Sequence, residues 1–336
     1  MEVHDLPTPA LIIELGALDA NLATMAAAHP GAALRPHVKA HKCTALAARQ
    51  RAVGHEAFTC ATPREAIGLA AAGLGGDLLI ANEVVDPRRL AALAALGDDA
   101  GITVAVDSEA TIAAAVDAGI RRCLIDVDVG LPRCGCDPRD AGRLAEMARA
   151  KGLEVRGVMG YEGHLMALED RERQRAEVAA AMSKLTAAHA DVGGAIVSAG
   201  GTGTYDLHGA TGVNEVQAGS YALMDTAYGK LGLPFEQALF VVGTVISVRP
   251  RHAVADVGLK ALGMDHGNPS ITGAPVWFCS DEHVTFAAGD EPPAVGDRVR
   301  VIPAHVDPTM AMHEVAWLVD GDEVVDRWDI DLRGWG

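Results

Sequence analysis

Aromatic side chains are scarce in this sequence, at 4% of 336 residues, whereas alanine and glycine abound. That composition suits thin helix-on-sheet layers better than an aromatic-rich β-sandwich. Positive charge is also short: 28 Lys and Arg face 45 Asp and Glu, for a net charge of -17 spread along the chain. A nucleic-acid surface and attachment to anionic membranes are both disfavoured by that balance. No apolar run reaches membrane-spanning length, and the start Met1-Glu2-Val3-His4-Asp5 lacks a basic, then apolar, leader. Cys43, Cys60, Cys123, Cys134, Cys136 and Cys279 follow no zinc-finger or disulfide spacing. Free thiols in the cytoplasm are the expectation.

What is present is alternation on a larger scale. Short apolar runs at 34–38, 57–59, 78–81, 102–106, 123–127, 155–159, 195–198 and 216–217 are separated by Ala-rich stretches of helical period, as at 64–72, 87–96, 108–118 and 138–150. Eight such repeats predict an α/β fold, a (β/α)8 TIM-type barrel. After Leu233-Pro234 the pattern changes to alternating strand segments at 241–248, 253–257, 283–287, 298–302, 315–319 and 323–330, with Asp320-Gly321 as a hairpin turn. The expected division is a barrel over 14–235 and a C-terminal antiparallel β domain over 236–336, which residues 1–13 join.

Reactive groups of such barrels lie at the C-terminal ends of the strands. On the first, period-two alternation places Arg35, His37 and Lys39 on one face, a basic trio that is costly to bury without an anion. An anionic cofactor and a lysine nucleophile answer that cost. Later strand ends carry Asp126 to Arg133, Tyr161-Glu162-Gly163-His164, Ser198 to Thr204, and Gln217 to Tyr221. The last two are glycine-rich and follow strands seven and eight, where barrels commonly hold phosphate.

Arg35 to Lys42, Asp128 to Gly135, Ser198 to Tyr205 and Gln217 to Tyr221 resemble the alanine-racemase-type fold of pyridoxal-phosphate enzymes. They resemble most its D-threonine aldolase and D-serine dehydratase branch. The resemblance implies that Lys39 holds pyridoxal 5'-phosphate covalently. It places Arg133 and Tyr161 beside the cofactor and Gly201, Thr202, Gly219, Ser220 and Tyr221 around its phosphate. Pro303 to Thr309 resembles the family's metal motif, with His305 and Asp307 as ligands of a divalent cation. Two residues apart on an extended segment, they would share a face. Dehydratases of this kind tend to carry cysteine at the second position and zinc. Aspartate is a harder donor, which favours manganese or magnesium and tilts the reading toward aldolase.

One departure stands out: Met166 and Ala167 occupy the place of a histidine that such aldolases usually carry, which leaves the proton-accepting role to His164 or to a metal-bound water. His55, His189, His208 and His252 are read as structural or solvent-exposed. The expected reaction is metal-assisted cleavage of a D-3-hydroxy amino acid to glycine and an aldehyde. The alternative is a D-serine or D-3-hydroxyaspartate dehydratase. A racemase would need a second acid/base, commonly a C-terminal tyrosine, and none follows Tyr228. A non-catalytic cofactor carrier would usually lack the β domain. The fold type implies a homodimer.

Overall fold

The computed structural model describes residues 1–335, which fall into two compact units. One comprises Met25–Lys39 and Leu46–Gly219, with residues 334–335. Seven parallel strands run through it in sequence order: Ala57–Cys60, Asp77–Ile80, Ile102–Val106, Arg122–Asp126, Glu154–Met159, Ile196–Ala199 and Glu215–Val216. The remaining stave, first in chain order, is 34–37. Leu34 bridges Val216 and His37 bridges Thr59, both parallel, so this segment joins the last strand to the first and closes the barrel. Pro36 has no N–H to donate but accepts from the Thr59 amide (2.9 Å).

Helices return the chain between strands, with clear start signals. Thr62 and Glu65 form a reciprocal capping box ahead of Pro63–Ala71, and Asp86 caps Pro87–Ala94 with proline at its first position. The barrel interior is layered. Lowest, at the strand starts, Arg35 pairs with Glu215 (2.9 Å) and Asp77 (3.1 Å), and Arg156 bonds Asp77 and Thr103. Two residues further along (three on the strand Glu154–Met159, where the register shifts), Leu79, Ala105, Leu124 and Met159 pack as an apolar layer. Another two residues bring the chain to the mouth, where Asp107, Asp126 and Tyr161 lie.

Arg35 therefore departs from expectation. It does not meet an anionic ligand with His37 and Lys39, because Asp77 and Glu215 already neutralise it at the barrel floor. The alternation also stops early: Val38–Ala40 is a single 3-10 turn, so Lys39 is presented by a turn and not by a continuing strand.

The other unit comprises Met1–Thr24, Ala40–Ala45 and Ser220–Arg333. The sequence boundary near 235 thus differs from this division by residues 220–235. Ala10–Glu14 lies between Leu239–Val248, antiparallel, and Val315–Asp320, parallel. Val315–Asp320 turns through Gly321 and Asp322 into Glu323–Asp329. Leu239–Val248 also pairs with Arg298–Ile302 and His252–Ala255, and the sheet continues to Val284–Ala287 and Val276–Cys279. Val3, Leu6, Ala10, Ile12, Val242 and Val319 form a core in which the opening segment is fully engaged, as its apolar character implies. All six cysteines are free, and no described helix is long and apolar enough to cross a membrane.

Candidate functional site

At the barrel mouth, the turn after the first stave presents Lys39, half-buried, with Nζ 5.7 Å from the centroid of the Tyr161 ring. Arg133 sits 5.3 Å from the same centroid, carried by the loop after Arg122–Asp126. Both side chains thus lie within 6 Å of one aromatic ring, close enough for its π cloud to attract them. His164, exposed, lies on a short 3-10 turn, its ring so near Gly130 that a Cβ there would sit 3.0 Å from Cε1. Gly130 has φ +135, a conformation that favours glycine.

The glycine-rich run after Ile196–Ala199 is held from beneath. Glu162, fully buried, accepts from the Thr204 hydroxyl (2.7 Å) and the Gly200 amide (3.2 Å) and faces His208 Nε2 at 3.2 Å. Burial alone would raise its carboxyl, but His208 and Thr204 hold it below the ordinary range. A Cβ on Gly203 would meet the Met166 carbonyl oxygen at 1.9 Å, and one on Gly201 the Met166 sulfur at 2.8 Å. Met166, which stands where a histidine was looked for, is part of the packing under this loop. Gly201, Thr202 and Gly219 are all buried.

Asp126, also at the mouth, is pushed well above the usual carboxylate range by burial and by the neighbouring Glu83 carboxylate. The Cys134 thiol, hydrogen-bonded to Glu83, is pushed up to about 12, which makes it a poor nucleophile at neutral pH. Sequence reasoning assigned no role to Glu83, Glu162 or Asp107. Glu162 stood inside a quoted motif, but burial of a loop glutamate has no local sequence signal.

The donor set at the mouth suits a phosphorylated aldehyde. A lysine amine can hold the aldehyde carbon, an arginine stands beside it for an anionic oxygen, and a buried glycine–threonine loop offers amide and hydroxyl donors.

In the second unit, His305 and Asp307 lie at the start of the helix Val306–Met312, with His305 as its N-cap. They do not share an extended face. A helical turn brings them together instead, His305 Nε2 lying 3.9 Å from Asp307 Oδ1. A side-chain adjustment of about 0.9 Å would bring the two to the roughly 3.0 Å separation of adjacent donors on an octahedral ion with bonds of about 2.1 Å. The Ser220 hydroxyl donates to the same Asp307 oxygen (3.1 Å), so this side chain is directed at the Asp307 carboxylate. Tyr221 is fully buried, its ring 5.6 Å from that of Phe235. The buried Asp225 carboxylate accepts from the Val306 amide (2.9 Å) and pins the helix start. Asp265 and His266, 40 and 39 residues before His305, also reach it: Asp265 Oδ2 lies 2.7 Å from His305 Nδ1, and the His266 ring stacks on it at 3.9 Å and 9°. Sequence reasoning missed both.

A closed parallel barrel with a lysine at its mouth, together with a β-sheet unit, defines the architecture of an alanine-racemase-type protein. Residues 13–227 match the family described as "Alanine racemase, N-terminal domain", and residues 238–319 match the "Putative serine dehydratase domain". The chain belongs to the alanine-racemase-type family, in its D-threonine aldolase and D-serine dehydratase branch. It is 38% identical to a D-threonine aldolase of an Arthrobacter species, over 97% of this chain and 93% of that protein. It is 32% identical to a 3-hydroxy-D-aspartate aldolase of Paracoccus denitrificans, over 100% and 94%. The solved D-threonine aldolase of Filomicrobium marinum superposes with a TM-score of 0.93 at 35% identity, covering 99% of this chain and 97% of that one.

Proposed function

We propose that this protein is a pyridoxal-phosphate-dependent lyase that cleaves D-3-hydroxy amino acids to glycine and an aldehyde. What supports it most directly is that Lys39 and Arg133 both lie within 6 Å of the Tyr161 ring at a barrel mouth. Similarity to two aldolases over nearly the whole chain supports it. When bound, the cofactor supplies an electron sink for the charge left at the α-carbon as the Cα–Cβ bond breaks.

The chain's own groups have distinct tasks. Lys39 holds the cofactor through its side-chain nitrogen and yields it to the substrate amine. Arg133 and Tyr161 orient it, and Gly201, Thr202 and Gly219 present donors to its phosphate. His164 receives the β-hydroxyl proton. His305 and Asp307 hold a divalent cation whose charge eases loss of that proton. The same reading takes manganese or magnesium as the cation, a homodimer as the assembly and the cytoplasm as the compartment. The aspartate at 307, an oxygen donor, favours these harder ions and with them the aldolase over the dehydratase.

The test is product analysis. Protein loaded with pyridoxal phosphate and manganese is incubated with D-threonine and with D-serine. Glycine and an equal amount of aldehyde are expected, and a keto acid with ammonia would make the protein a dehydratase.

A further inference from the structure

The loop that ends in Asp265 and His266 is fastened to the metal motif by its backbone. Gly263 bridges His305, and the Gly263 amide donates to Thr309 Oγ1 (2.9 Å), whose hydroxyl in turn donates to the His305 carbonyl (2.7 Å). A Cβ on Gly263 would stand 2.3 Å from Pro308 Cγ, so the close approach requires glycine. Asp265 then falls against one nitrogen of His305 while Asp307 faces the other.

Asp265, His266 and His305 bring ligand-type atoms within 4.8 Å of one another, which by itself could suggest a three-residue metal site. Two features argue against that. The 2.7 Å contact between Asp265 and Nδ1 is a hydrogen-bond length, shorter than the roughly 3.0 Å between adjacent donors on an octahedral ion with bonds of about 2.1 Å. The two imidazoles are also parallel to within 9° and stacked 3.9 Å apart, and an imidazole lone pair lies in its own ring plane. One ion cannot lie in both planes at once.

We infer that Asp265 is a positioning residue of the metal centre: it accepts the Nδ1 proton of His305 and so leaves Nε2, the nitrogen facing Asp307, as the metal-binding one. An ionised carboxylate only accepts, so Nδ1 must donate. The neutral ring then has its lone pair on Nε2. A carboxylate behind a ligating histidine fixes the tautomer and ring orientation and raises ligand basicity. His266 holds the ring plane by stacking and is not a ligand. This inference rests on the reading of His305 and Asp307 as a cation site.

The test is manganese binding to the cofactor-loaded protein, read by the electron paramagnetic resonance of free and bound ion. Asp307→Ala should abolish binding. If it does not, the cation site itself is misplaced. Asp265→Ala should weaken binding by about 10–100-fold, the usual effect of losing such a partner. Asp265→Asn, whose amide oxygen can still accept from Nδ1, should recover most of that loss. Were Asp265 a direct ligand, Asn would fail as badly as Ala. His266→Ala should stay within about threefold of the parent, a loss far below the 10–100-fold expected of a ligand's partner. With Asp307→Ala inactive in binding, full affinity in Asp265→Ala would overturn the inference and leave the cation site standing. So would loss of binding in His266→Ala.

Discussion

Glu162 shows how one buried residue shapes the barrel mouth without facing it. Its carboxylate accepts from the Gly200 amide and the Thr204 hydroxyl, the two ends of the glycine-rich run, and His208 Nε2 lies 3.2 Å away. Glu162→Gln keeps the shape and removes the charge. The variant should lose about 1–3 kcal/mol of stability, the cost of weakening buried hydrogen bonds to a charged group. Its affinity for pyridoxal phosphate, followed by fluorescence titration, should fall as well. Parent-level affinity would mean that the 200–204 run is not what holds the phosphate. The other residue-scale lesson concerns Lys39 and Lys42. Lys42 adopts φ +49, and its carbonyl accepts from the Leu332 amide within the β-sheet unit, whereas Lys39 closes the barrel's first stave.

The starts of several barrel strands hold a charge layer whose carboxylates make stability depend on pH. Burial would raise the Asp77 carboxyl, but hydrogen bonds from Arg156 and Arg35 hold it at about 2. An unfolded aspartate takes up a proton near its ordinary value of about 3.9. Between about pH 4 and 2 the unfolded chain therefore binds more protons, and stability falls as pH falls through that window. Asp77→Asn should destabilise the fold by about 3 kcal/mol or more, since it leaves Arg35 buried beside a single carboxylate. Its stability should also decline less steeply across that window, as measured by urea unfolding at a series of pH values. An unchanged slope would remove Asp77 from the acid sensitivity.

This layer was not legible in the sequence. Arg35 and Asp77 belong to different strands, and their pairing is a product of barrel closure, so alternation could say that Arg35 faces inward but not what meets it. The strands themselves were legible, because each is a short apolar run bounded by turn residues. Val276–Cys279 was not picked out, since its exposed Trp277 and Phe278 do not alternate. The place of Lys39 at a strand end was legible, although the 3-10 turn that presents it was not. The His305–Asp307 pair was found by its motif. Asp265 escaped because the glycine bridge that brings it to His305 spans 42 positions of sequence, Gly263 to His305.

Lys39, the proposed point of cofactor attachment, belongs to one compact unit, and His305 and Asp307, the proposed cation ligands, belong to the other. The two loadings should therefore be separable. Two protein donors, His305 and Asp307, give an exchangeable ion, and a chelator should remove it readily. Turnover should then fall to background while the cofactor's visible absorbance persists. Manganese should restore activity to the parent but not to Asp307→Ala. Full activity in chelated protein would make the pair structural.

The central claim is that the barrel mouth carries pyridoxal phosphate on Lys39. Borohydride reduction of the loaded protein, followed by peptide mass spectrometry, reads the attachment directly. The account predicts one pyridoxyl group per chain, on Lys39, and none on a Lys39→Ala variant. A label on Lys42, on any other lysine, or on none would contradict it.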